Sequence, residues 1–307
     1  MKYRNEISFE DNFSSNYSVS SIEEKKEERE ILNLFLNAND NISSLNTLSS
    51  KLFGDEKISA NDIQQGKRPI CYFLSALAGL AHHRPNDVRE LVKENEDGSY
   101  TVTFPGLPAN KRVIKVNEPP KEIMDFYIHK GKNNSIWVPV VVSAISKYWS
   151  KNGFLRFFRS NYDAANYGGA WEGIEIVTGH VADFMAVPLN SNDKIFTKIS
   201  TAINQKKLVS VSTFGKGNMN PKKTGEFRLS NVHVLTVLST DPYNKTITIR
   251  DPYGYLKVVD NNGSLREDYS TNGIFTVDMQ TFRKYFMDIA IETDKKSNFI
   301  SRLRFLK

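Results

Sequence analysis

The chain has 307 residues, 39% of them hydrophobic and 11% aromatic, enough to build a sizeable core as one large domain or two lobes. Its net charge is +6, yet lysines are scattered among acidic residues, and the densest charged run, residues 23–30, mixes both signs; a concentrated basic stripe for nucleic acid is excluded. No apolar window reaches the about 18 residues of a transmembrane helix, and the single cysteine excludes an internal disulfide.

Residues 1 to about 20 are rich in Ser, Asn and acidic side chains and are expected to remain a flexible arm. They lack the apolar stretch of a secretory signal peptide. Ser21 and Glu24 form a capping-box pattern ahead of a helix that is charged first and apolar later, with Ile31, Leu34 and Phe35 on one face. A connecting region over 47–62 precedes QQGKRPICYFLSALAGLAHHRP. From Cys71 this run is apolar at helical spacing, and His83-Arg84-Pro85 closes it, so Cys71 opens a buried helix.

Alternation in SYTVTFPG and KRVIKVN predicts a strand pair. IWVPVVVSAISKYWSKNG predicts a second buried helix, Gly168-Gly169 a loop of close approach, and residues 172–179 a short helix. KIFTKISTAINQKK reads as an amphipathic helix. Strands then dominate: LVSVSTF, VHVLTVLSTD, KTITIRDPYG and IFTVDM, with a hairpin turn at Asp241–Asn244. The expected class is α+β with two lobes. An arm over 1–45 precedes a core over 46–295, helical to about 185 and β-rich from about 186, and a tail over 296–307 follows.

A lone cysteine is most often a small buried core residue. Three features set Cys71 apart. It opens a helix, whose dipole favours a thiolate. A Gly and a Pro shape the approach to it. Gln65, six residues upstream, carries an amide suited to binding an oxyanion. His233 starts an alternating strand, where a histidine is usually half-buried and structural. Asp251 ends the next strand pattern, and antiparallel pairing would bring the two together, a carboxylate orienting an imidazole. Cysteine first, histidine far downstream and orienter later still is the papain-like order.

At this point the chain resembles the catalytic core of calpains, over roughly residues 50 to 292. The segments that carry the resemblance are QGKRPICYFLSALAGLA, IWVPVVVSAISKYW, NYDAANYGGAWEGIEIVTGH, VHVLTVLS followed by IRDPYG, and IFTVDMQTFRKYFMDIAI, in that order. It implies a papain-like fold with a cleft between two lobes, Cys71 as nucleophile, His233 as general base and acid, and Gln65 in the oxyanion hole. Gly169, with Gly168 before it, matches a position lining the substrate cleft; the plainer reading is a tight turn.

Four departures stand out. Asp251 replaces Asn, giving a charged orienter. Pro69-Ile70 replaces a polar or glycine pair, removing an N–H at 69 but not at Cys71. Val232 replaces glycine before the histidine and is expected to narrow the cleft. Tyr253 replaces a covering tryptophan. No EF-hand loop is present and no His/Cys cluster suggests zinc, so no cofactor is expected and no calcium requirement is predicted.

The function expected is an endopeptidase acting on protein substrates, a host protein among them, as a monomer. The alternatives are the same dyad used for deamidation, transglutamination or other acyl transfer, and a non-catalytic binding module. A signal-less, polar N-terminus suggests a bacterial effector acting in a host cytosol; the alternative is a cytoplasmic processing protease.

Overall fold

The computed structural model describes residues 52–54, 57–66, 68–119, 135–152, 168–214 and 226–297. The expected arm, its capping box at Ser21 and Glu24, and the tail beyond 297 lie outside them.

A 3-10 turn, Ala60–Asp62, is capped by Ser59, and Asp62 returns the bond to the Ser59 amide. Helix α1, Cys71–His83, follows and is buried through Ala81. Pro85 does end α1, and it also opens the next helix, α2, Pro85–Leu91, where a missing N–H costs nothing. Strands β1 (Val92–Glu94), β2 (Tyr100–Thr103) and β3 (Val113–Val116) form a small antiparallel sheet, the last two being the expected pair. Helix α3, Trp137–Asn152, carries the buried Trp137, whose indole N–H donates to Asp62 Oδ2 at 3.1 Å. Helix α4, Ala170–Thr178, begins two residues before the expected start.

Strand β4, His180–Ala186, precedes helix α5, Asn192–Asn204, and strand β5, Val209–Thr213. The short β6, Phe227–Arg228, leads to β7, Val234–Asp241, and β8, Thr246–Arg250. These last two form the expected hairpin, with Asp241 Oδ1 accepting from the amides of Tyr243 and Asn244. Strands β9 (Leu256–Val259), β10 (Leu265–Asp268) and β11 (Ile274–Asp278) precede helix α6, Met279–Tyr285, and an 11-residue strand β12, Phe286–Lys296. The segment IFTVDMQTFRKYFMDIAI, one of those that carry the resemblance, spans β11, α6 and the start of β12. Strand β12 pairs with β5 on one edge and β4 on the other, and residues 288–290 are buried in succession, as in a strand covered on both faces.

The main sheet runs β11-β8-β7-β5-β12-β4, and β10-β9-β6 form a separate three-stranded sheet. Alternation along β7 decides what covers each face. Leu235 and Val237 join Ile195, Phe196 and Ile199 of α5 in one core. Val234 and Thr236 point the other way, towards α1. There Gly79 is required: a Cβ would stand 2.9 Å from Thr236 Oγ1 and 3.3 Å from Leu208. The absent side chain lets α1 lie directly on β7, and this contact brings the first residue of α1 to the start of β7. The architecture is the expected α+β arrangement. No helix among the described residues is long and apolar enough to cross a membrane.

Candidate active site

Cys71 occupies the first turn of α1, where unpaired N–H groups and the helix dipole favour negative charge. His233 immediately precedes β7 and is 3% exposed; Asp251 immediately follows β8 and is 4% exposed. Because β7 and β8 are antiparallel neighbours, the start of one lies beside the end of the other. His233 Nε2 and Asp251 Oδ1 are 2.8 Å apart. The second ring nitrogen, Nδ1, is therefore the one available to Cys71, to which His233 is hydrogen-bonded.

Burial pushes the Cys71 thiol up, but the hydrogen bond to His233 and its positive charge reverse this. With backbone hydrogen bonds from Val234 and Tyr72, the thiol ends below its ordinary value. Burial opposes charge on His233 as well. The Asp251 carboxylate, by charge and hydrogen bond, and then Cys71, push the imidazole up to about 10. Thiol down and imidazole up favour the thiolate–imidazolium pair.

Asp251 Oδ1 also accepts from the Tyr253 amide at 2.9 Å, which fixes the carboxylate independently of the histidine. The Tyr253 ring lies over the imidazole, centroids 4.7 Å apart and planes at 18°. Burial, with the charges of Asp251 and Cys71, pushes its hydroxyl up to about 12.

Gln65 is 2% exposed. Its amide N–H donates to the Pro252 carbonyl at 2.7 Å, beside Asp251. Its side-chain Nε2 donates to Arg68 O at 2.8 Å, and Oε1 is buried without a hydrogen-bond partner. One amide hydrogen thus closes the loop leading to Cys71, and the side-chain amide carries a second hydrogen that this bond does not use. Gly168 lies against the ring of Tyr72, the residue after Cys71; a Cβ there would meet it at 2.7 Å. Gly169 caps α4, its amide donating to Glu172 Oε1 at 3.3 Å. Burial pushes the Glu172 carboxyl up to about 7, against the Gly169 N–H.

Val232 is 77% exposed, with φ +49°. It holds a left-handed conformation that a β-branched residue rarely adopts. Its isopropyl group faces solvent. The next residue is fixed by Thr213, whose Oγ1 accepts from the His233 amide at 2.9 Å and donates to Ser230 O at 2.8 Å.

Three residues that position the site were not singled out in the sequence. Ser75, one turn into α1, donates to Val234 O at 2.5 Å; its only signal is a hydroxyl inside an apolar helix. Thr213 reads as an ordinary strand residue. Arg250, 1% exposed, donates from Nη2 to Ile63 O at 2.6 Å; a charge in the otherwise uncharged TITIR was the available clue. Burial lowers its pKa to about 10 despite the charges of Asp251 and Asp62. Among the described residues, no group of three or more His, Cys, Asp or Glu side chains is clustered as for a metal ion.

A model of the calpain family of cysteine proteases matches residues 12–293, beginning well ahead of residue 50, where the recognisable motifs start. With that match over most of its length, the chain belongs to the calpain family of cysteine proteases.

Proposed function

We propose that the chain is an endopeptidase in which Cys71, His233 and Asp251 act as a triad. The observation carrying this reading is the continuous buried hydrogen-bond chain from thiol to imidazole to carboxylate, with the thiol pKa lowered and the imidazole pKa raised. The Cys71 thiolate attacks the scissile carbonyl carbon. The resulting oxyanion is held by the Cys71 N–H and the second amide hydrogen of Gln65. The His233 imidazolium gives its Nδ1 proton to the departing amine, leaving a thioester on Cys71. Water then attacks the thioester as neutral His233 accepts its proton, and release of the acid restores the ion pair. Asp251 stays ionised and keeps the imidazole in register. A lone reactive thiol suits a reducing compartment, which supports action in a cytosol.

The test compares new protein N-termini in a native proteome treated with the wild-type chain and with Cys71→Ala. New termini with the wild type alone are expected. Glutamine-to-glutamate mass shifts without new termini would replace hydrolysis of peptides by deamidation.

A further inference from the structure

A second concave site is lined in part by the loop that leads to the histidine. A cavity of about 480 Å³ is lined by Arg228, Leu229, Ser230, Asn231, Lys257, Leu265, Arg266 and Glu267. Its walls come from the small β10-β9-β6 sheet and from the loop that ends at His233. That loop is not free to drift, because the Thr213 hydroxyl holds Ser230 at one end and His233 at the other.

The charges in the cavity are unbalanced. Arg228 on β6 stands directly opposite Lys257 on β9, and like charges in that register repel. Glu267 stands opposite Lys257 on the other side, so one carboxylate faces two cations. Glu267 also accepts the Tyr269 hydroxyl at 2.8 Å, and Arg266 is paired with Asp260. Among the described residues neither Arg228 nor Lys257 has an ion-pair partner. The juxtaposition of these like charges is unfavourable, and an incoming anion relieves it.

The chemistry of the proposed cleavage says which part of a substrate passes there. His233 hands its proton to the leaving amine, so the chain on the amine side of the scissile bond runs past the imidazole. Ser230 and Asn231 are the cavity residues nearest His233 in the chain, and the row of rings His233, Tyr253, Tyr255 and Tyr269, with centroids 4.7, 5.6 and 4.9 Å apart, ends beside Glu267.

We propose that this cavity is a specificity site in which Arg228 and Lys257 bind an Asp or Glu side chain of the substrate, C-terminal to the scissile bond and within the first few positions. The inference rests on the endopeptidase reading. It adds that the enzyme selects an acidic residue on the leaving-group side.

The test uses the full chain and peptides that are identical except for Glu, Gln or Lys at each of the first few positions after the cleaved bond. At one position kcat/KM is expected to favour Glu over Gln by about fivefold, the size that two exposed ion pairs give, and to disfavour Lys further. The preference is expected to shrink in about 1 M salt, where screening acts within about 3 Å. R228E/K257E is expected to reverse the ranking at that position, so that Lys is preferred over Gln and Gln over Glu. Equal cleavage of Glu, Gln and Lys peptides by the wild type would overturn this site while leaving the endopeptidase reading intact. An acidic preference confined to the acyl side would overturn it as well. No cleavage of any peptide or protein would overturn the endopeptidase reading, and this inference with it.

Discussion

The Ser75 hydroxyl and the Val234 carbonyl form a buried hydrogen bond of 2.5 Å across 159 residues of chain. Ser75 is one turn beyond Cys71, and Val234 directly follows His233. The bond therefore sets how far thiol and imidazole stand apart. Ser75→Ala is expected to lower kcat about tenfold with KM little changed, because small misplacements of reacting groups are costly. Thermal unfolding of the same variant should show a loss of about 1–3 kcal/mol. A stability loss with an unchanged kcat would make the bond purely structural.

Asp251 acts on His233 by charge and by orientation, and two substitutions separate these effects. Asp251→Asn keeps an oxygen for Nε2–H but loses the charge, so kcat should fall about tenfold. Asp251→Ala loses both, and a drop of a hundredfold or more is expected, in the range of general acid–base contributions. Steady-state rates on one peptide substrate decide it. Wild-type rates from both variants would remove Asp251 from the mechanism.

The ion pair has a defined pH window. The folded His233 pKa is raised from 6.5 to about 10, so stability from its protonated form is fully present below about 6.5 and is lost as pH rises through about 10. The folded Cys71 pKa is lowered from 9.0, so stability from its thiolate is fully present above 9.0 and is lost as pH falls through the folded value. Iodoacetamide should therefore alkylate Cys71 near neutral pH much faster than a free thiol, and the rate should titrate below pH 9. In Asp251→Asn the pKa marking imidazolium loss should move down. A single titration centred near 9 in the wild type would contradict the pair.

Tyr253 contacts His233 through its ring face. A stacked aromatic favours imidazolium over imidazole, and it keeps water off the ring. Tyr253→Phe should retain wild-type rates. Tyr253→Ala should lose about tenfold in kcat, with the alkaline limb of its pH–rate profile moved to lower pH. Equal rates in all three proteins would mean that the ring merely packs.

Arg250 and Gln65 join two strips of the site. Arg250 holds Ile63 O, and the Gln65 amide holds Pro252 O, so segment 63–65 is fastened beside 250–252. Two guanidinium nitrogens of Arg250 are buried without partners, so removing the charge also removes a desolvation penalty. Arg250→Met is therefore expected to alter the melting temperature by only a few degrees. It should nonetheless speed hydrogen exchange at the Gln65 amide and lower kcat about tenfold. Unchanged exchange would show that the strap does not depend on Arg250.

The legible parts of the fold were those with a strong local period. The apolar face from Cys71, the alternation of VHVLTVLSTD and the hairpin at Asp241 each appear where the sequence puts them. Strand β12 was not legible, because FMDIAIETDKK is compatible with helix and strand over short windows, and only pairing with β5 and β4 selects the strand. The ions and rings of the site were nameable because Cys, His, Asp and Gln carry chemistry in their residue type. The residues that aim them were not, because Ser75, Thr213 and Arg250 acquire their roles from partners 159, 20 and 187 positions away.

The sequence by itself determined the helix that begins with Cys71, the strands bounded by His233 and Asp251, and the family to which these motifs belong, since each follows from local periodicity and residue chemistry. Tertiary structure alone decided that Gly79 lets α1 rest on β7, that Val232 takes a left-handed φ beside the histidine, and that Arg228 faces Lys257 across a strand pair. Those are facts of close approach and register, set when distant segments pack together, and no local period encodes them.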